Sequence, residues 1–129
     1  MPSKLTNGNG TFQATVSGDT ISFKLTYADL TTTAIAAHIH FAQRGVNGGI
    51  FAYLCGGGGK PACPPAGGTI TGAIAAADIL APLPDQGLEA GNLAGALRAI
   101  RSGNTYVNVH STKFPGGEIR GQVRVQEED

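Results

Sequence analysis

The chain contains three histidines, and two of them, His38 and His40, stand one residue apart in the apolar run AAHIHFAQ. Successive side chains of a β-strand point to opposite faces, so this spacing places both imidazoles on one face, with Cα atoms about 6.5–7 Å apart. The third, His110, occurs in the alternating segment TYVNVHS. Neutral imidazoles are common ligands of Cu²⁺ and Zn²⁺. The residue types therefore raise the hypothesis of a three-histidine metal site.

The alternation of apolar and polar residues predicts which way the histidines point. In segment 33–42, the apolar residues on the face opposite the histidines are Ile35, Ala37, Ile39 and Phe41. In segment 105–111, Val107 and Val109 share one face, and the opposite face carries Tyr106, Asn108 and His110. We therefore expect the apolar residues to build the core and all three histidines to lie on faces turned away from it.

The identity of the metal follows from the ligand types. Three imidazoles with an open position suit tetragonal Cu²⁺, or Zn²⁺ completed by water, and the intrinsic order of affinities favours copper. Cu⁺ would call for thiolate or thioether ligands, but Met1 is the only methionine and both cysteines have another expected role. The alternative is that the histidines are solvated polar residues on an exposed strand face, without a metal.

Three further side chains are candidates for the surroundings of such a site. Tyr106 shares the predicted face of His110 and could be a weak axial ligand or a supporting group; an aromatic cover of the sheet is an equal alternative. Glu118 and Arg120 alternate with apolar residues after the turn KFPGG. If that segment pairs back on 105–111, either could orient an imidazole N–H or lie at the mouth of the site. An ordinary cross-strand pair between them is the favoured alternative.

The two cysteines, Cys55 and Cys63, flank seven residues rich in glycine and proline, in LCGGGGKPACPP. This composition is flexible enough for the two Cα atoms to approach each other. A disulfide closing this loop would contribute about 2–3 kcal/mol. Two free thiols or a cysteine metal pair are the alternatives. We predict the disulfide, which favours an oxidising compartment.

Composition excludes several classes of function. The formal net charge is zero, with nine basic and nine acidic residues, so nothing points to nucleic acid or an anionic membrane surface. No segment approaches the roughly 18 apolar residues that would span a bilayer, so membrane insertion is not expected. The polar start MPSKLTNGNG has no signal-peptide pattern, so a secreted origin predicts that a leader lies outside this sequence.

The pattern along the chain is typical of a β protein. Alternating runs joined by short turns predict a hairpin over 11–30 and further strands at 33–42, 49–55, 68–74, 105–111 and 118–126. The last of these would carry Ile119, Val123 and Val125 on one face. Segment 75–83 is short and helix-like, and 92–103 is the clearest helix, with Asn92 as N-cap and Gly103 at its end. We predict a mainly β antiparallel sandwich or barrel, Ig-like or Greek-key, with about seven or eight strands and one or two short helices in a connection.

Three segments occur in the order SGDTISFKLTYADL, AAHIHFAQRGVNGGI and NLAGALRAIRSGNTYVNVHSTKFPGGEIRGQV. Together they resemble the CHRD domain, which is named for the extracellular growth-factor antagonist chordin and is common in secreted bacterial proteins. The resemblance runs from about residue 10 to 125, which implies that residues 1–129 are a single extracytoplasmic β domain, secreted or periplasmic. The family pattern includes His38, His40 and His110, together with residues matched by Asn108, Pro115, Gly116, Glu118 and Arg120. The cysteine loop resembles a local elaboration.

The HIH motif is also similar, locally, to the HVH copper pair of copper–zinc superoxide dismutase. That site needs four copper histidines, and this chain has three in all. The leading hypothesis is an extracytoplasmic protein that binds Cu²⁺ through His38, His40 and His110, for copper binding, delivery or redox chemistry. The alternative is a metal-free interaction module of the chordin type. The sequence leaves open whether the protein is an enzyme, such as a weak dismutase or a zinc hydrolase with Glu118 as base, and whether it has a protein partner or self-associates.

Overall fold

The computed structural model describes residues 7–42, 48–81, 86–123 and 125–127. These residues form a β-sandwich of two open sheets, with strand orders β5-β2-β1-β8 and β4-β3-β6-β7. The elements are β1 (Asn9–Ser17), β2 (Thr20–Ala28), β3 (Ala34–Phe41), β4 (Gly49–Cys55), β5 (Gly68–Ile74), a 3₁₀ turn (Ala76–Asp78), α1 (Leu93–Arg101), β6 (Thr105–Ser111), β7 (Ile119–Gln122) and β8 (Val125–Glu127). The predicted mainly β fold is confirmed as a sandwich, and the sheets do not close into a barrel.

The first hairpin forms because two alternating segments flank a two-residue turn. Gly18 has a φ of 61°, a conformation that glycine adopts without steric cost at the first position of such a turn. The apolar residues of β2 are buried between the sheets, as the alternation predicts: Ile21, Phe23, Leu25 and Tyr27. This face of β2 makes up much of one wall of the core.

The opposite wall of the core comes from β3, β4 and β6, and here one expectation is wrong. Ala37 and Ile39 are buried as predicted, and Phe41 packs against the core while partly exposed. Ile35, predicted to be a core residue, is 44% exposed. The pairing of β3 with β6 shifts register between Ala34 and Ala36, and a bulge of this kind turns the extra residue out of the ladder.

The C-terminal segment also differs from its prediction. Instead of one strand, β7 pairs with β6 while β8 pairs with β1 in the other sheet. β6 begins at Thr105, so the ladder in which Tyr106 lies opposite Gln122 ends with a hydrogen bond of 3.1 Å from the N–H of Val123 to the Thr105 carbonyl. The chain then crosses to the free edge of β1, and this short pairing, with Ala14 opposite Val125, is parallel.

The predicted helix is confirmed as α1. The side chain of Asn92 accepts a hydrogen bond of 2.9 Å from the backbone N–H of Gly95, and Gly103 follows the last turn with a φ of 78°. Its inner face is buried: Ala96, Leu97, Ala99 and Ile100. Of the helix-like segment 75–83, residues 75–81 are described and contain only the 3₁₀ turn, while residues 82–83 lie outside the described residues. No helix in the described part of the chain is long and apolar enough to cross a membrane.

The predicted disulfide between Cys55 and Cys63 is present, with Cα atoms 5.1 Å apart. Cys55 is the last residue of β4, so the bond anchors the glycine-rich loop at the end of that strand. Lys60 in the loop donates a hydrogen bond to the carbonyl of Ala73 and pairs with Asp78 at 3.4 Å, which joins the loop to the chain around β5. A disulfide of this kind is typical of proteins in an oxidising compartment.

Replacing both cysteines (Cys55→Ser with Cys63→Ser) should lower the free energy of unfolding by about 2.5 kcal/mol, because the unfolded chain regains the entropy of an open nine-residue loop. Urea unfolding of both proteins measures the difference. The double variant should be insensitive to a reducing agent, whereas the parent chain should be weakened by it. Equal stability of the two proteins would show that the disulfide does not stabilise the fold.

Candidate metal centre

The pairing of β3 with β6 brings the three histidines together. In this antiparallel ladder His38 lies opposite Asn108, His40 opposite Tyr106, and His110 opposite Ala36. The ring centroid of His38 is 4.7 Å from that of His110 and 5.6 Å from that of His40, and the His40 and His110 centroids are 6.0 Å apart. One ring nitrogen from each residue lies within 4.8 Å of the other two. The predicted ligand set is therefore a single cluster.

The cluster is buried, although it lies on the face of the sheet turned away from the core. His38 is 6% exposed, and His40 and His110 are each 8% exposed. The idea that these histidines are solvated surface residues is wrong. The rings of Tyr53 and Tyr106 and the backbone carbonyls of Gly48 and Pro115 contact the histidines on this face, which strand alternation alone cannot reveal.

Two backbone carbonyls orient two of the rings. Nδ1 of His40 donates to the carbonyl of Gly48 at 2.9 Å, and Nδ1 of His110 donates to the carbonyl of Pro115 at 2.7 Å. A carbonyl oxygen only accepts hydrogen bonds, so both Nδ1 atoms carry the ring proton and both Nε2 atoms keep a lone pair. Histidines that ligate metals are held in this way, with the second nitrogen donating to a carbonyl or carboxylate.

The third ring is held by the cluster itself. Nδ1 of His38 lies 3.0 Å from Nε2 of His110, so in the metal-free protein His38 donates and His110 accepts. A metal bound by both nitrogens would replace this shared proton. Nitrogens bound at about 2.0–2.1 Å lie at most about 4.2 Å apart, so the cluster needs only a sub-ångström contraction of its side chains to hold one ion. The residues present fit a metal.

Burial keeps the imidazoles neutral. Desolvation, with smaller contributions from the neighbouring His110 and His40, lowers the pKa of His38 from 6.5 to about 3. Desolvation also lowers the pKa values of His40 and His110, against the opposing effect of their bonds to the carbonyls of Gly48 and Pro115. A neutral imidazole is the form that binds a metal, so near neutral pH ligation needs no proton to be removed from a charged ring.

Tyr106 and Arg120 extend the cluster on the side of His40. The phenol ring of Tyr106 stacks flat on the His40 imidazole, with centroids 4.8 Å apart and an angle of 5° between the planes. The guanidinium carbon of Arg120 lies 3.7 Å from the centroid of the Tyr106 ring, a cation–π contact. Its charge also lowers the pKa of His40. Tyr106 presents its ring face to His40, which favours a supporting role, and its axial ligation stays a prediction.

Glu118 is a buried carboxylate that holds the chain around His110. It accepts hydrogen bonds from the hydroxyl of Ser111 at 2.7 Å, and from the backbone N–H and hydroxyl of Thr31 at 2.8 and 3.0 Å. The same Ser111 hydroxyl accepts the N–H of Phe114, which fixes the turn that carries Pro115. Glu118 therefore supports the carbonyl that orients His110, and its direct contact with an imidazole stays a prediction.

Tyr53 is a site residue that sequence reasoning missed. Its ring contacts His38 edge-on, with centroids 4.5 Å apart, and its strand position lies opposite His38. Register shifts in the β3–β4 ladder place it there. The glycine-rich loop packs on this ring so closely that a Cβ on Gly57 would lie 2.7 Å from it. In the sequence, the run of glycines was the one signal of this contact. The carbonyls of Gly48 and Pro115 gave no sequence signal, because every residue has a backbone carbonyl.

Stability of the metal-free protein should fall as the pH drops below 6.5. The folded-state pKa values of all three histidines are depressed, so the unfolded chain binds protons that the folded state does not. The stability that these groups provide is therefore present above pH 6.5. It is lost as the pH falls toward their folded-state pKa values. Urea unfolding between about pH 7.5 and 5.5, with chelator present, measures the slope. In a variant with all three histidines changed to glutamine this slope should vanish; an equal slope would place its origin elsewhere.

Changing Glu118→Gln should destabilise the fold by about 1–3 kcal/mol, because the hydrogen bonds lose their charged acceptor and the new NH₂ group must either face the Thr31 N–H or reverse the bond with the Ser111 hydroxyl. Chemical unfolding measures this loss. The resonances of the His110 ring should also move, since the turn carrying Pro115 loosens. Glu89→Gln, at an exposed position, is the matched control. A Glu118 variant as stable as this control would show that the buried carboxylate is not a structural anchor.

The comparison with known proteins gives one result. No curated protein and no solved structure matches the chain. The family model described as the CHRD domain matches residues 1–123. This range includes the strands β1 to β7 and all three histidines. The chain therefore belongs to the CHRD domain family.

Proposed function

We propose that the protein is an extracytoplasmic copper-binding domain that holds Cu²⁺ through His38, His40 and His110. The observation that carries this proposal is the cluster itself: three buried imidazole nitrogens within 4.8 Å of one another, two of them oriented by backbone carbonyls. Three histidines on two strands make up the whole histidine content of the chain. A packing role alone would not require that they converge.

Copper is proposed over zinc on the chemistry of the donors. An all-imidazole set without a thiolate suits Cu²⁺, and copper outcompetes zinc at most nitrogen sites. Zn²⁺ completed by water is the second metal to consider. Bound copper would supply an open coordination position and access to two oxidation states, so the role could be copper storage, delivery or redox chemistry.

The extracytoplasmic location rests on two observations. The chain belongs to a family whose domains are extracellular, and Cys55 and Cys63 form a disulfide. Disulfides persist in secreted and periplasmic proteins and are rare in the cytosol of mesophiles. A copper site in such a compartment would meet its metal outside the reducing cytosol.

A second function is favoured by a specific observation. The cluster is internally hydrogen-bonded as it stands, with His38 donating to His110 and the other rings bonded to carbonyls. Buried polar groups that are satisfied in this way can serve the fold alone. On that basis the domain would be an interaction module that needs no metal.

Metal binding separates the two functions. Untagged protein purified without metal-affinity resin should take up one Cu²⁺ per chain, and copper at 100 times its Kd should stabilise the fold by about 2.7 kcal/mol. His110→Gln removes a ligand, so it should weaken copper binding by more than about 100-fold. Changing only a residue that supports a ligand typically costs about 10- to 100-fold. Lys24→Gln, an exposed change on the other sheet, is the control.

Electron paramagnetic resonance identifies the site. Copper bound as proposed should give a type 2 spectrum with splitting from several nitrogens, altered in His110→Gln and unchanged in Lys24→Gln. A melting temperature unaffected by Cu²⁺, Zn²⁺ and Ni²⁺ would support the metal-free module. Preference for Zn²⁺ in direct competition would overturn the assignment of copper while keeping the three-histidine site.

A further inference from the structure

The metal-binding nitrogen of His40 already has a neighbour in the metal-free protein. Nδ1 of His40 donates to the Gly48 carbonyl, so Nε2 is the nitrogen left to ligate a metal. The side-chain amide of Asn108 lies 3.1 Å from this same Nε2, at its Oδ1 position. The amide therefore occupies the place in front of the lone pair that a metal ion would take.

The pattern of donors decides which end of the amide faces the ring. An imidazole that can bind a metal is neutral and carries one proton, and the Gly48 carbonyl takes that proton at Nδ1. An oxygen facing Nε2 would set two lone pairs against each other. The two ends of an amide have the same shape and exchange by a rotation of its last torsion, so the NH₂ group can face Nε2 at the same distance.

We propose that Asn108 is a latch on the candidate metal site: its NH₂ group donates to Nε2 of His40 in the metal-free protein and is displaced when a metal binds. The first half, the hydrogen bond from Asn108 to His40, stands on the contacts of the metal-free chain. The second half, displacement of the amide by a metal, rests on the proposed function. Asn108 acts through His40 and is a positioning residue.

The placement of Asn108 suits this role. It is 2% exposed and lies opposite His38 in the β3–β6 ladder, between Val107 and Val109, which are buried in the core. The backbone at this position is thus fixed from both sides. A buried imidazole nitrogen without a partner would be costly, and the amide removes that cost until a metal arrives. The bond also competes with the metal, so it lowers the affinity of the site.

Nuclear magnetic resonance of the metal-free protein tests the first half. At neutral pH the nitrogen shifts of His40 should show a protonated Nδ1 and a hydrogen-bonded, unprotonated Nε2. The NH₂ protons of Asn108 should correlate with Nε2 and exchange slowly with water. A protonated Nε2 of His40, or a rapidly exchanging Asn108 amide, would overturn the latch whatever the metal binding shows.

The variant Asn108→Leu tests the second half, because leucine has a similar volume and no donor. Removing one competing hydrogen bond should lower the Kd for Cu²⁺ roughly 2- to 10-fold and speed its uptake, while the metal-free fold becomes less stable. Asn104→Leu, a partly exposed position outside the cluster, is the matched control. A Kd that is unchanged or raised in Asn108→Leu would overturn the competition, and a raised one would identify Asn108 as a ligand. Failure of the parent chain to bind copper would overturn the proposed function and leave the resonance test of the latch in force.

Discussion

The antiparallel ladder between β3 and β6 is the constraint on which the rest of the site depends. It places His38 opposite Asn108 and His40 opposite Tyr106, and it sets His110 one position further along the same face. A slip of one residue would turn the histidines of one strand toward the core and separate the cluster. The buried side of the ladder, with Ala37, Ile39 and Val109, makes such a slip costly, so the apolar core fixes the polar site on its other face.

Burial has two consequences that act together at this site. It disfavours the protonated form of each imidazole and is the largest cause that lowers the pKa of His38 to about 3, and it leaves nitrogen lone pairs that need partners. The metal-free chain supplies those partners from its own carbonyls and rings. The same neutral nitrogens are what a divalent ion requires. The cluster is therefore internally hydrogen-bonded and compatible with the binding of a metal ion.

The loops around the cluster hold the histidine rings in place, and each loop is fixed by contacts that lie away from the histidines. The Glu118 carboxylate fixes the turn that presents the Pro115 carbonyl, through Ser111. The loop closed by the disulfide packs its glycines on Tyr53, which in turn covers His38. Residues remote in sequence thereby determine the orientation of the rings.

Local alternation along the strands determined a large part of this protein from the sequence alone. Alternation predicted the hairpin and the shared face of His38 and His40, capping residues predicted the helix, and the composition of the loop between the cysteines predicted the disulfide. All of these depend on neighbours within a few residues. The tertiary structure decided what alternation cannot encode: the exposure of Ile35 at a bulge, the division of the last strand between two sheets, and the burial of the histidines. It also decided the partners of each ring nitrogen. Those partners are backbone carbonyls and side chains brought in by register and loop packing, and the physical reason is that long-range pairing sets their distances.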